Sequence, residues 1–420
     1  RISVLSRRFP NLFYGWWIVF TSAVLLTLMS LTVFQGLGTV LVSLERQYGW
    51  SRTALSGAFS MARVEGAILG PIEGVLVDRV GTRRMVLIGF ILMGIGFVWL
   101  SQVDNLIEFY AAFMTISLGS GLGGWLAIVA MVNNWFDKRR SFAMSIAMSG
   151  IHLGGLLVPV FAFSIERLDF SITTIGVGLI LLVVVGPATL IIRSKPEDMG
   201  LLPDGKPENE TVSENGEVID LLETESDFTV MQALKTPAFW ILTVTQISSS
   251  VSIVTLALHL VPKLTDMGMT LSSAGTVVLA YTIVALPAQS IAGYLAERLP
   301  KILMISIFLF LQGAGIALIA VFDNVIAAYM FALLYGIGFG GRTPLITAIR
   351  GDYFGRKAFA TIMGVSQFPM NLAMIVAPLF AGYMFDTTGT YIVPFMTFSV
   401  LCIFGSGLIL FVRKPQKTLS

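Results

Sequence analysis

The sequence predicts an all-α membrane protein: twelve transmembrane helices in two six-helix bundles, with both termini cytoplasmic. Three observations carry that prediction. Of the 420 residues, 55% are hydrophobic and only 12% charged, whereas soluble domains carry about 25% charged residues. The apolar residues gather into runs of the roughly 20 residues that cross a bilayer. The second half also repeats landmarks of the first at offsets of 219 or 217 positions.

The runs fall near 14–36, 52–76, 85–101, 106–132, 141–164, 171–192, 237–261, 271–295, 302–321, 325–348, 358–383 and 391–412. The first is too long for a signal-peptide core and is read as a retained membrane helix. Between the sixth and seventh runs lies one long polar segment, acidic and poor in aromatics, with a short helix expected near 218–225. The domain reading is therefore a bundle over 1–192, a cytoplasmic linker over 193–235 and a second bundle over 236–420. Orientation follows from lysine and arginine alone. With the N-terminus inside, 21 of the 27 lie in inside segments and four outside; Arg63 and Arg342 remain within helices. The single cysteine, Cys402, falls in an apolar run and excludes an intrachain disulfide.

The repeat shows in separate regions. Gly49-Trp50-Ser51 and Gly268-Met269-Thr270 each open a helix, with Ser51 and Thr270 as expected N-caps. Asp78-Arg79 is matched by Glu297-Arg298. Gly119, Gly121, Gly123 and Gly124 recur as Gly336, Gly338, Gly340 and Gly341, and Phe142-Ala143 as Phe359-Ala360. Six helices followed by six in the same orientation make a parallel repeat about an axis along the membrane normal.

The loop after the second run reads Gly74-x-x-x-Asp78-Arg79-x-Gly81-x-Arg83-Arg84, and its weaker copy reads Gly293-x-x-x-Glu297-Arg298-x-Pro300-Lys301. Arginines enter hydrocarbon only at high cost, so these loops sit at the cytoplasmic surface. Gly66, Gly70 and Gly74 share one helix face on which another helix can approach closely. The pattern resembles the loop signature of the major facilitator superfamily. Tyr14-Gly15-Trp16-Trp17, and Asn134-Trp135-Phe136-Asp137-Lys138-Arg139-Arg140 followed by Ala143, Ala147-Met148 and Gly150, are similar to the monocarboxylate transporter and oxalate–formate antiporter-like branch. The motifs are specific for fold and suggestive for substrate. The lysine those carriers place late in their first helix falls near Gly36 here, and their eighth-helix charges are absent around Thr282 and Gln289.

Ionisable groups at membrane depth need a partner or a purpose. Glu65 is the candidate proton carrier and Arg63 its regulator or an anion contact; at i and i+2 they point to different sides of a helix. Glu73 is assigned to the cytoplasmic loop network. Ser141, Ser145, Ser149 and His152 form one polar stripe, and His152 has Asn371 as its repeat equivalent. The seventh run carries a second stripe: Thr245, Ser248, Ser252, Thr255 and His259. The resemblance implies that this face is wet, and His259 is expected at a solvent-exposed mouth. Arg342 follows the glycines of the tenth run, has Trp125 as its repeat equivalent and no acid one helical turn away. With Gln246, Ser252 and Tyr281, these residues complete the candidate substrate set: Arg342, Trp125, His152 and Asn371. Gating is assigned to Gly74, Asp78, Arg79, Arg83, Arg84, Glu297 and Arg298.

Two histidines on different helices and one apolar cysteine make no metal cluster or catalytic triad, so an enzyme, a metal and a cofactor are not expected. The basic residues lie in short loops, which argues against a nucleic-acid partner. The expected protein is a multi-pass, monomeric, lipid-embedded symport protein of the cell (inner) membrane. It moves a small organic anion, carboxylate-like and proton-coupled, by alternating access. Proton-driven efflux of amphiphilic compounds is the alternative; a non-transporting membrane receptor is the distant one.

Overall fold

The computed structural model describes residues 13–35, 40, 43–44, 47–50, 52–205 and 227–416. The expected cap at Ser51, the short helix near 218–225 and the lysine-equivalent position at Gly36 lie outside the described residues. Helices account for the regular structure, in the order α1 (Gly15–Met29), α2 (Arg52–Val80), α3 (Thr82–Leu100), α4 (Leu106–Gly123), α5 (Trp125–Trp135), α6 (Arg140–Leu156), α7 (Val158–Leu168), α8 (Phe170–Ile191), α9 (Val230–Leu234), α10 (Pro237–Asp266), α11 (Leu271–Leu295), α12 (Lys301–Val321), α13 (Val325–Phe354), α14 (Phe359–Thr388) and α15 (Ile392–Ile409). No strand occurs among the described residues. A π-helical turn, Ser30–Gln35, continues α1.

Ten helices among the described residues are long and apolar enough to cross a membrane. Two of the twelve expected spans are not among them, for different physical reasons. The 29-residue α2 is long enough but carries Arg63, Glu65 and Glu73. The run expected over 141–164 breaks at Leu157, just after Gly154-Gly155, into α6 and α7. The fourth expected run is also divided, at Gly124, although α4 and α5 together still count as one span. Large apolar side chains that face outward, among them Ile107, Val183, Leu190, Val376, Leu379 and Phe411, are what a lipid environment accommodates and water does not.

Two compact units emerge. One comprises Arg1–Phe228 with Phe354–Gln367; the other comprises Thr229–Tyr353 with Phe368–Ser420. α14 therefore begins in the first unit and continues in the second.

Within each unit the helices meet where side chains are small, as apolar segments in lipid must. In the first unit, a Cβ at Gly119 would lie 2.5 Å from the Gly89 carbonyl, so α3 and α4 touch backbone to backbone. Gly178 of α8 brings the same closeness to Gly94 of α3, 2.7 Å from its carbonyl. In the second unit the glycine row of α13 faces two ways. Gly336 meets Tyr281 of α11, and Gly338 and Gly341 meet Phe308 of α12.

Helix starts follow side-chain chemistry. Asn105 accepts the Glu108 N–H at 3.0 Å and returns a bond to that carboxylate at 2.8 Å. Thr236 accepts the Phe239 N–H ahead of Pro237, and Thr270 accepts the Ser273 N–H, the cap expected from sequence. The repeat is visible in backbone shape. Gly49 and Gly268, 219 apart, both adopt left-handed φ of 67° and 85°, a conformation glycine enters without a Cβ penalty.

Candidate functional site

The loop signature is built around Asp78. Its carboxylate accepts the backbone N–H of Ala360 at 3.2 Å, the backbone N–H of Thr361 at 2.8 Å and the Thr361 hydroxyl at 2.6 Å. These donors sit in the first turn of α14, where N–H groups have no partner inside the helix and the helix dipole favours a negative charge. Arg79, Arg83 and Arg84, assigned with Asp78 to gating, are not among its partners; Arg79 and Arg84 are exposed, and Arg83 contributes its backbone N–H to the Ser194 hydroxyl at 3.2 Å. Gly74 lets α2 come this close: a Cβ there would stand 2.5 Å from the Ala360 carbonyl and 2.7 Å from Thr361 Cα. Gly364 meets Gly70 in the same way. The close crossing expected at Gly70 and Gly74 is therefore made onto α14.

The degenerate copy is built differently. Arg298 lies over the Tyr294 ring at 4.6 Å, while Glu297 sits in the turn beside it. Lys301 pairs with Asp352 at 2.6 Å. With Pro300 in place of Gly81, the left-handed φ of 92° seen in the first loop is unavailable.

The motif residues of the first unit hold the end of α8. Tyr14 donates its hydroxyl to the Ile191 carbonyl at 2.7 Å, Trp135 its indole N–H to Arg193 at 2.9 Å, and Asn134 its amide to Ser194 at 3.2 Å. Carbonyls at a helix end lack intrahelical donors, so these side chains supply them.

The linker is tied down on both sides of its undescribed middle. Asp204, at φ 62°, accepts the backbone N–H groups of Asp137, Lys138 and Arg139 at 3.2, 2.7 and 3.4 Å. Asp227 accepts those of Arg356 and Lys357 at 2.8 and 3.3 Å. These are repeat-related loops, offset by 217 positions, each held by an aspartate. Arg356 adds a 2.8 Å ion pair to Glu197 and a 2.6 Å bond to the Asn134 carbonyl.

Glu65 is half-buried on α2. It faces the Ser117 hydroxyl of α4, and its Oε2 is enclosed without a hydrogen-bond partner. Arg63 makes no ion pair with it, as the i, i+2 spacing implied. Glu73 does not belong to the loop network: it is 7% exposed, and its carboxyl lies directly against Gly121 of α4, where a Cβ would collide with it. Gly121 is thus the vacant face that admits a buried acid.

Of the expected substrate residues in the first unit, Trp125 starts α5 immediately after the Gly124 break, and His152 is buried on α6. The stripe beside His152 is partly self-satisfied: Ser145 and Ser149 donate to carbonyls three residues back in their own helix.

In the second unit, Arg342 is 2% exposed on α13. It takes part in none of the ion pairs among the described residues. Its Nη2 reaches the Thr343 hydroxyl at 3.4 Å, and its Nε has no partner. Tyr335, seven positions and so about two turns before it on the same face, packs edge-on to Tyr281 of α11 at 5.3 Å. Gln246 of α10 accepts from Nη1 of a residue that sequence reading placed in a loop, Arg350. Asn371 is buried on α14.

The stripe on α10 is not a wet face. Ser252 accepts from Gln312 of α12 at 2.9 Å, and Ser249 donates to the same Gln312 at 2.7 Å. Ser248 lies where a Cβ at Gly405 of α15 would be. Polar side chains bonding across helices glue a bundle together, and Ser252 is engaged in that way. His259 is half-buried rather than free at a mouth, within 3.3 Å of both the Tyr391 hydroxyl and the Pro378 carbonyl.

The family model described as Major Facilitator Superfamily matches residues 23–341 and 242–420. Monocarboxylate transporter 12-B of Danio rerio is 24% identical over 96% of this chain and 89% of its own. The MFS-type transporter YhjX of Escherichia coli is 23% identical over 76% of each. Among solved structures, the E. coli fucose:proton symporter FucP shares the fold with a TM-score of 0.72 at 13% identity, over 95% of this chain and 98% of that one. The human organic anion transporter MFSD10 does so with 0.64 at 15%, over 94% and 99%. With a family match from residue 23 to the last, on a helical fold those transporters share, the chain belongs to the Major Facilitator Superfamily: it is a membrane transporter and not an enzyme.

Proposed function

We propose that this transporter is a proton-coupled secondary carrier of a small organic anion, carboxylate-like, working by alternating access across the cell membrane through twelve spans as a monomer. The observation that carries the reading is Arg342. A guanidinium buried in a membrane helix with no acid beside it is costly, and its fixed fork of donors suits a carboxylate. The relatives support the substrate class: the Danio rerio relative is named a monocarboxylate transporter, and one structural neighbour is named an organic anion transporter. Another neighbour is named a proton symporter, which supports coupling, with Glu65 as the proton carrier and Arg63 as its modulator. Trp125, His152, Asn371, Gln246 and Tyr281 are proposed substrate contacts, with Ser252 positioning α10. Asp78 and Gly74 form the proposed cytoplasmic latch.

Uptake and counterflow in proteoliposomes, against a panel of small acids, tests the reading. Arg342→Lys keeps the charge and loses the fork. Folded protein with much weaker acid binding is the expected result. Binding unchanged in both Arg342→Lys and Arg342→Gln, with thermal stability lost instead, would show that the arginine serves the fold.

A further inference from the structure

One buried acid has no task in the proposed function. Glu73 of α2 is 7% exposed, and among the described residues it takes part in no hydrogen bond or ion pair. Its carboxyl occupies the space beside Gly121 of α4, where a Cβ would stand 2.6 Å from the carboxyl carbon. Glu65 meets the same helix one turn earlier, at Ser117. Along α2 the two acids are eight positions apart, about 12 Å, whereas Ser117 and Gly121 are four apart, about 6 Å along α4. Set against those two positions, the carboxyls bracket one turn of α4, near enough for charge on one to act on the other.

The helices packed on α2 bring no cation to this turn. α5 contains no ionisable residue, and neither does α14 as far as Gln367. The only acid of α4 is Glu108, 13 positions before Gly121 and so about 20 Å away. Tyr110 of α4 donates its hydroxyl to the Ala54 carbonyl. α3 carries Arg83 and Arg84 in its first turn, at the loop end. On α2 itself Arg79 is exposed, Asp78 is taken up by Ala360 and Thr361, and Arg63 lies ten positions before Glu73, about 15 Å. An ionised Glu73 would give up hydration and gain neither a donor nor a cation, and beside an ionised Glu65 it would also be repelled. A proton held by the pair relieves both costs.

We infer that Glu73 is the second station of the coupling proton, exchanging it with Glu65 through bridging water and standing between that carrier and the loop end of α2. The inference rests on the proton-coupled reading with Glu65 as carrier and extends it along the helix. In each hop the O–H bond of the protonated carboxyl breaks and its electron pair stays on that carboxylate. Water takes up this proton and releases another to the second carboxylate, where a new O–H bond forms. Nothing is oxidised or reduced, and the pair holds one proton before and after. Gly121 makes the position available, because a larger side chain would expel the carboxyl.

The test uses the full-length protein, purified for infrared spectroscopy and reconstituted into proteoliposomes with a pH-sensitive dye sealed inside; lactate and succinate are the transport probes. At neutral pH the wild type is expected to show a carboxylic-acid C=O band that disappears in Glu73→Gln. Proton movement driven by the probe should fall about a hundredfold or more in that variant, the contribution of a positioned proton-transfer group, while substrate exchange persists. Glutamine keeps the size of the side chain, so a packing role alone would leave proton movement intact. Glu73→Asp, which keeps the carboxyl, should restore part of the movement and serves if the glutamine variant does not fold. Gly121→Ala, with the acid present but displaced, should lose proton movement as Glu73→Gln does. Wild-type proton movement in Glu73→Gln, or a wild-type spectrum with no band that depends on Glu73, overturns the relay and leaves Glu65 as carrier. Wild-type protein that carries either acid with no proton movement overturns the coupled reading and the relay with it. The infrared result decides whether or not either probe is a substrate.

Discussion

Replacing Asp78 with asparagine tests the latch between α2 and the start of α14. The carboxylate holds three donors at 3.2, 2.8 and 2.6 Å. Hydrogen bonds to a charged acceptor contribute about 1.5–3 kcal/mol each, against about 1 for neutral pairs. The helix-terminal dipole adds about 0.3–1 kcal/mol for a negative charge at this end. Asparagine keeps one carbonyl oxygen for Thr361 and loses the charge, the second acceptor and the dipole term. Allowing for the half-buried position, the net loss is about 2 kcal/mol, close to a 30-fold shift in the latch equilibrium. Hydrogen exchange should therefore show protection of the Ala360 and Thr361 amides falling by about that factor, with slower transport and unchanged global unfolding. Thr361→Val removes only the hydroxyl donor and should cost less; combined with Asp78→Asn it should add little, because the partner is already weakened. Amide protection at 360 and 361 that survives Asp78→Asn, with normal turnover, would refute the reasoning.

Glu65→Gln should abolish accumulation driven by a proton gradient while substrate exchange persists; accumulation that survives moves the coupling role to His152. Gly74→Ala places a Cβ 2.5 Å from the Ala360 carbonyl and 2.7 Å from Thr361 Cα, so the crossing must shift, at about 1–3 kcal/mol. Thermal unfolding reads this directly, and Gly275→Ala, where nothing lies within 4 Å of the added carbon, is the control expected to be neutral or stabilising. Arg356→Ala breaks the 2.8 Å pair with Glu197 and the 2.6 Å bond to Asn134; a loss of about 1–2 kcal/mol is expected, with faster amide exchange confined to 137–139 and 356–357.

The sequence revealed most where one residue type has one physical use. Apolar runs, N-caps and left-handed glycines follow from local chemistry, so Thr270 and Gly49 with Gly268 are legible without coordinates. The close crossing at Gly70 and Gly74 was legible as a face. The helix that fills it was not, because Thr361 lies 283 positions from Asp78 and nothing local connects them. The motif residues Tyr14, Asn134 and Trp135 are recognisable as a pattern, yet their work, supplying donors to the carbonyls at the end of α8, depends on contacts with residues 58 or more positions away. Polarity misled on α10, where a serine stripe has the same periodicity whether it faces water or a neighbouring helix; Gln312 and Gly405 decide the matter, and neither is near it in sequence.

Arg350 shows a different limit. Counting basic residues places loops well when helix ends are known to within a turn, but the tenth apolar run ends at 348 and α13 continues to Phe354. That six-residue difference, about 9 Å of helix, moves an arginine from the surface, where hydration stabilises it, to a site with 1% exposure. The apolar count could not register the extension, because the turn from Arg350 to Phe354 contains an arginine, a glycine and an aspartate. Those residues end a hydrophobic run without ending a helix: Asp352 is paired with Lys301, and the left-handed break comes only at Gly355, φ 78°. In the first half the same stretch behaves otherwise. The equivalent of Arg350, at offset 217, is Asn133, uncharged and fully buried, and its helix restarts at Trp125 rather than running through. The two halves thus share a scaffold and differ in the charge placed on it: α2 carries Arg63, Glu65 and Glu73, whereas α13 buries Arg342 and Arg350. The proposed division of labour, proton coupling on α2 and anion binding on α13, rests on that difference between the halves.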